Sequence, residues 1–166
     1  NQKSKKPILI KDLKAIINKI HEINQSNKKK IRDKAIILIG FSGGFRRSEL
    51  VNIEYEDVEF VSEGVKIFVK RSKTDQSGEG MIKAIPYFEN KLFCPVTKLK
   101  DWINFIEIKS GKIFKISDKS VSLIIKKYAS YAGLDPNKYG GHSLRSGFAT
   151  TTAESGAEER NIMAMT

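Results

Sequence analysis

Three short segments of this 166-residue chain carry side chains suited to anion chemistry. In Gly44-Phe45-Arg46-Arg47-Ser48-Glu49-Leu50, glycines precede an arginine at a helix start, leaving backbone and guanidinium open to one anion. Arg46 and Glu49 are three apart and share a helix face, where a carboxylate can hold a guanidinium plane for bidentate contact with phosphate oxygens. An ordinary surface ion pair has the same spacing. In Gly140-Gly141-His142-Ser143-Leu144-Arg145-Ser146-Gly147-Phe148, His142 and Arg145 repeat that interval at a helix N-terminus, where free N–H groups welcome anions. Arginine can neutralise charge growing on a phosphorane while histidine moves a proton or hydrogen-bonds an oxygen; a capping or packed histidine fits equally. The third segment is Arg71-Ser72-Lys73-Thr74-Asp75, where a lysine on a hairpin tip could protonate a leaving oxygen or simply be solvated.

These segments need a scaffold, and hydrophobic periodicity describes one. Leu13, Ile16, Ile17 and Ile20 mark an amphipathic helix over Lys11–Ile23, followed by a polar turn at Asn24–Lys30. A second helix is predicted over Lys30–Phe41, broken by Ser42-Gly43-Gly44, with a short helix at Arg46–Val51. Three β-branched runs, Asp57–Val61, Val65–Lys70 and Met81–Pro86, predict a small antiparallel sheet whose second turn, Arg71–Gly80, is a polar hairpin tip. Helices return at Pro95–Ile108, with Leu99, Trp102, Ile103 and Ile106 on one face. Another covers Asp118–Ala132, with Val121, Leu123, Ile124, Ile125 and Tyr128 in the core, and the last two cover His142–Ser155 and Glu158–Met165. The fold class is α+β: mostly helical, with a small three-stranded antiparallel sheet inserted between helices.

Composition narrows the partners. Thirty Lys plus Arg against nineteen Asp plus Glu gives a net charge of +11, which favours a polyanion such as nucleic acid or an anionic membrane surface. The excess is concentrated in residues 1–40, with eleven basic and three acidic side chains. Lysine outnumbers arginine 24 to 6, so part of the excess also reads as genomic A/T bias. The first helix has no Trp or Phe anchor for a membrane surface, and no apolar stretch is long enough to span one. A single cysteine, Cys94, excludes an internal disulfide and suits a reducing, cytoplasmic setting. Two histidines, His21 and His142, do not make a usual zinc site, and a metallonuclease lacks its acidic ligands; no metal or cofactor is expected.

In identity and order the three segments resemble the catalytic domain of the tyrosine recombinases, the group that includes phage integrases and chromosome-dimer resolvases. That family shows Gly-apolar-Arg-x-Ser/Gly-Glu-Leu, then a lysine in a β-hairpin, then His-x-Leu-Arg opening a helix. Here these are Gly44 to Leu50, Lys73, and His142-Ser143-Leu144-Arg145, continued by Ser146-Gly147-Phe148-Ala149-Thr150 and Ser155-Gly156-Ala157. The resemblance runs from the first helix to the last. It implies a site-specific DNA recombinase or integrase in which a tyrosine attacks a phosphodiester of double-stranded DNA, forming a 3′-phosphotyrosyl bond that a second DNA end reverses. It assigns Arg46 and Arg145 to the nonbridging phosphate oxygens, Lys73 to protonation of the leaving 5′-oxygen, and His142 to proton transfer near the nucleophile. Glu49 would orient Arg46. Alignment and the spacing to Glu49 choose Arg46 over Arg47.

The departures from the family pattern are also specific. The family has a further His or Trp and then the nucleophilic Tyr after the final helix, whereas Tyr55, Tyr87, Tyr128, Tyr131 and Tyr139 all precede His142. Residues 1–7 are read as a linker or loose terminus, and 8–166 as a catalytic domain incomplete at its C-terminus. Such a domain is expected to be inactive alone, monomeric, and a weak, salt-dependent DNA binder, while its parent acts as a tetramer on DNA. The competing reading is a non-catalytic DNA-binding relative of the same fold. A type IB topoisomerase shares the chemistry but fits the Gly-Phe-Arg-Arg-Ser-Glu-Leu segment less well.

Overall fold

A computed structural model of the chain describes residues 5–70 and 80–155. Its helices are α1 (Ile10–Glu22), α2 (Asn27–Gly43), α3 (Arg47–Val51), α4 (Pro95–Ile106), α5 (Asp118–Tyr131) and α6 (Ser143–Ser155). Between α3 and α4 lie β1 (Val58–Val61), β2 (Gly64–Val69) and β3 (Met81–Pro86), forming an antiparallel sheet in the order β1-β2-β3. The α+β architecture is the one the periodicity predicted. The helix expected over Glu158–Met165 and the hairpin tip from Arg71 to Glu79 lie outside the described residues.

Helix α2 is the axis of the domain. From Ala35 to Gly43 nearly every side is buried, because α1, α4, α5, α6 and β3 all pack around it. It starts earlier than predicted: Ser26 accepts a hydrogen bond from the Lys29 amide at 3.3 Å, and this cap allows the polar residues Asn27–Lys30 to form the first turn. It also ends later. Ser42 and Gly43 remain helical, and Gly44, at φ 62°, provides the left-handed residue that stops the helix. The Gly44 amide donates to Phe41 O at 3.2 Å and the Phe45 amide to Gly40 O at 2.9 Å, the paired bonds of a Schellman ending.

The amphipathic stripes behave as predicted in α1, where Leu13, Ile16, Ile17 and Ile20 are buried. In α5 one residue does not. Leu123, expected in the core, is 65% exposed, because Val121, Ile124, Ile125 and Tyr128 form the inward stripe and a 100° step from it turns position 123 to solvent. Residues Lys5 and Lys6, expected in a loose terminus, are tied down: Lys6 N donates to Lys138 O at 2.7 Å and Lys5 Nζ to Asn137 O at 2.8 Å. Ile8, fully buried just beyond them, donates its amide to Ser143 O at 3.1 Å. The entry to α1 is thereby fastened to the start of α6. No helix among the described residues is long and apolar enough to cross a membrane.

Candidate active site

The site begins at the end of α2. After Gly44 the chain runs through buried Phe45 to exposed Arg46, which is the N-cap of α3. Glu49, on the first turn of α3, accepts from the Arg46 backbone amide through Oε1 at 2.8 Å. This differs from the expected carboxylate–guanidinium pairing. A carboxylate at the third helical position is well placed to satisfy an orphan amide, so Glu49 holds the Arg46 backbone.

Helix α6 supplies the second arginine. Arg145, half-buried, donates from Nη1 to Gly44 O at 2.8 Å, joining segments 101 residues apart in sequence. Phe148, one turn on, covers the same glycine; a Cβ at Gly44 would come 2.5 Å from its ring. Glycine is therefore required there twice, for its positive φ and for the ring's approach. Leu144 packs on Gly40 of α2, and Gly147 allows Ile8 O to approach, so small residues on both helices bring α6 close enough for Arg145 to reach the turn.

His142, itself exposed, precedes α6 in a turn whose other residues, Gly140, Gly141 and Ser143, are buried. The turn is built by two local bonds, the Gly140 amide to Ser143 Oγ at 3.0 Å and the Ser143 amide to Gly140 O at 2.9 Å, and is tied to α5 by the Gly141 amide donating to Ser122 Oγ at 3.2 Å. The Arg47 stem lies against Gly141, where an added Cβ would meet Arg47 Cδ at 2.5 Å, and Arg47 Nε faces Asp118 Oδ2 at 3.8 Å. The doubled arginine is thus divided by environment. Arg47 braces α3 against the His142 turn and the start of α5, whereas Arg46 leads into α3 from the Gly44 turn.

Sequence reasoning missed a fourth cation. Lys83 of β3 donates from Nζ to Gly43 O at 2.7 Å and approaches Gly44 O at 3.4 Å. It also sits 5.0 Å above the Phe45 ring. Burial lowers its pKa; Glu49 opposes that shift, while Arg145 and Arg46 add to it. All three site residues therefore act electrostatically on this one ammonium. The available signal was strand parity: Lys83 shares a face with Ile85 and pairs with Ile67, both buried. Lys73 lies outside the described residues. Lys70, just before that segment, is engaged by carboxylates, at 2.6 Å from Asp57 Oδ2 and 3.6 Å from Glu54 Oε1.

The structure therefore brings Arg46, Glu49, Arg145 and Lys83 to one turn and sets the His142 turn beside it through Arg47. Three cations face one carboxylate that is occupied by a backbone amide. Such a place can bind and stabilise a phosphate-like anion.

Residues 9–166 match the model of the phage integrase family. The chain is 44% identical over 177 aligned residues to an integrase/recombinase XerD homologue of Selenomonas ruminantium, covering 99% of this chain and 51% of the relative. It is 33% identical over 132 residues to the tyrosine recombinase XerA of Pyrococcus horikoshii, covering 80% and 45%. Among solved structures, XerH site-specific recombinase bound to difH substrate superposes with a TM-score of 0.75 at 19% identity, over 98% of this chain and 47% of that one. XerA recombinase superposes with a TM-score of 0.71 at 19% identity, over 99% and 57%. The chain spans about half the length of the curated relatives it matches.

Proposed function

This chain belongs to the phage integrase family, and from that premise we propose that it is the catalytic domain of a site-specific DNA recombinase. The observation that carries the reading is the bond from Arg145 to Gly44 O, two residues before Arg46, which brings an arginine of α6 to the turn that leads into Arg46. In the proposed reaction a tyrosine oxygen attacks the phosphorus of a DNA phosphodiester. The bond to the 5′-oxygen breaks, and a 3′-phosphotyrosyl bond stores the energy for rejoining. Arg46 and Arg145 stabilise the charge that grows on the nonbridging oxygens, Lys73 protonates the leaving oxygen, and His142 assists proton transfer. Glu49 acts one step back, by fixing the backbone from which Arg46 projects.

We place the nucleophile outside the five tyrosines of this sequence. Tyr128 is buried and donates to Asp33, Tyr139 is buried in the loop before α6, and Tyr87 accepts from Lys100. Tyr55 is partly buried, and Tyr131 ends α5. The partner is double-stranded DNA, with assembly into a tetramer on two duplexes belonging to the longer parent. Fluorescence anisotropy with a duplex, repeated over a salt series, tests the binding half. The chain is expected to bind at low salt, with affinity that falls steeply as salt rises. No DNA binding at low salt would overturn the reading. An SDS-stable covalent adduct with DNA tests the nucleophile: its formation by this chain alone would return the role to one of the five tyrosines.

A further inference from the structure

We propose that Lys83 is a positioning residue of the phosphate site, holding the Gly43–Gly44 turn so that Arg46 and Arg145 present their guanidinium groups to one phosphate. The inference rests on the reading of that place as a phosphate site. It begins from a lysine on the buried side of a strand, with its stem between Ile67 and Ile85 and no carboxylate within ion-pair distance among the described residues. A half-buried ammonium beside two arginines is an unfavourable arrangement by itself. Two features offset it. The Phe45 ring presents its face to Nζ, and the carbonyls of Gly43 and Gly44 lie at the C-terminal end of the 17-residue α2, where the helix dipole favours a cation.

The position of those carbonyls gives the lysine its role. Gly44 O receives Arg145 Nη1 at 2.8 Å and lies near Lys83 Nζ at 3.4 Å, so one carbonyl is the anchor for a cation from α6 and a cation from β3. Anchoring uses one of the five N–H donors of Arg145 and leaves the others for a ligand. Two residues further on, the same turn delivers Arg46 to the start of α3. Without the ammonium, the turn keeps the Ile85 contact at Gly43 but loses its polar link to the sheet, and with it the fixed reference that both arginines share. Charge is the second contribution: Lys83 feels Glu49, Arg145 and Arg46, so the reverse also holds, and its ammonium adds to the field at the anion.

The test uses the 166-residue chain labelled with 15N, following the Nε–H resonances of Arg46 and Arg145 during titration with inorganic phosphate and with a short DNA duplex. Wild type is expected to show saturable shifts of both. K83M keeps the stem and removes the ammonium; it is expected to move the Gly44 amide without ligand and to weaken phosphate binding about fivefold or more. K83R should recover most of that loss. K66M removes the same charge from the opposite face of the sheet and should leave phosphate affinity unchanged. A folded K83M that binds phosphate as wild type does, even with a lowered Tm, overturns the proposal, as does an equal loss in K66M. If K83M does not fold, K83Q carries the same comparison. Silent arginine resonances in wild type with both ligands would instead defeat the phosphate-site reading itself.

Discussion

Helix α2 has a polar cluster at each end, and the two are built on opposite plans. Near its start, Asp33 is buried to 1% exposure and accepts hydrogen bonds from Arg32 Nε at 2.9 Å and from Tyr128. Gln25 extends the network, donating to Tyr128 at 2.7 Å and accepting from Lys127 at 2.8 Å. Charges there find partners of opposite sign or good hydrogen bonds inside the protein. At the other end, among the described residues, Arg145 and Lys83 donate to neutral carbonyls, and Glu49 is taken up by the Arg46 amide. A saturated cluster stabilises the fold. An unsaturated one leaves positive charge available to a ligand, at some cost to stability.

The largest test of this contrast is at Arg145 and Arg46. If the proposed function holds, R145A and R46A are each expected to lower the rate in a strand-transfer assay of the full-length protein by about 10²–10³-fold, the usual loss for a preorganised donor to a developing oxyanion. Their effect on folding should be small. Asp33 should show the reverse. D33A strands Arg32 and the Tyr128 hydroxyl and should cost ~3 kcal/mol in urea unfolding, while the salt dependence of DNA binding in the folded variant stays unchanged. If D33A lowered DNA binding at full fold stability, the two ends would not be separate in role.

Smaller effects sharpen the division within the doubled arginine and within the buried network. R47A removes a brace on Gly141 and a 3.8 Å contact with Asp118 that is largely exposed to solvent, so DNA affinity should fall by only about two- to fivefold. A loss of strand transfer as severe as that of R46A would overturn the assignment of Arg46. The slightest expected effect is alkaline. Burial, then the hydrogen bond to Asp33, raises the Tyr128 phenol above its ordinary 10.0. The folded state holds that proton more tightly than the unfolded chain does. Its contribution to stability is therefore complete below about pH 10 and is lost as pH rises further. Urea midpoints at about pH 9 and about pH 11 should diverge in wild type and diverge less in Y128F.

Legibility in the sequence followed range. The Leu13, Ile16, Ile17, Ile20 stripe and the three β-branched runs were readable because helices and strands repeat at fixed short periods. The ends of α2 were misplaced because a serine cap and a Schellman ending decide them, and both depend on a few backbone bonds. Leu123 was misplaced because a hydrophobic residue inside an apolar run carries no label for the side it faces until the helix is docked. Lys83 was overlooked for a related reason. One lysine in a strand reads as solvated until the strand is known to lie against the end of α2.

Periodicity and composition are enough to locate the main elements, the net charge, and the three motifs whose order resembles the tyrosine recombinases. How the first and last of those motifs meet depends on packing between distant segments. Glu49 serves the Arg46 backbone instead of its guanidinium, Arg47 braces the His142 turn, and Lys83 and Arg145 converge on the carbonyl end of α2. The physical reason is that local periodicity is set by neighbours three or four residues away. Convergence of cations is set by helix packing across 101 residues, where the absence of a Cβ at Gly40, Gly44 and Gly147 allows the approach.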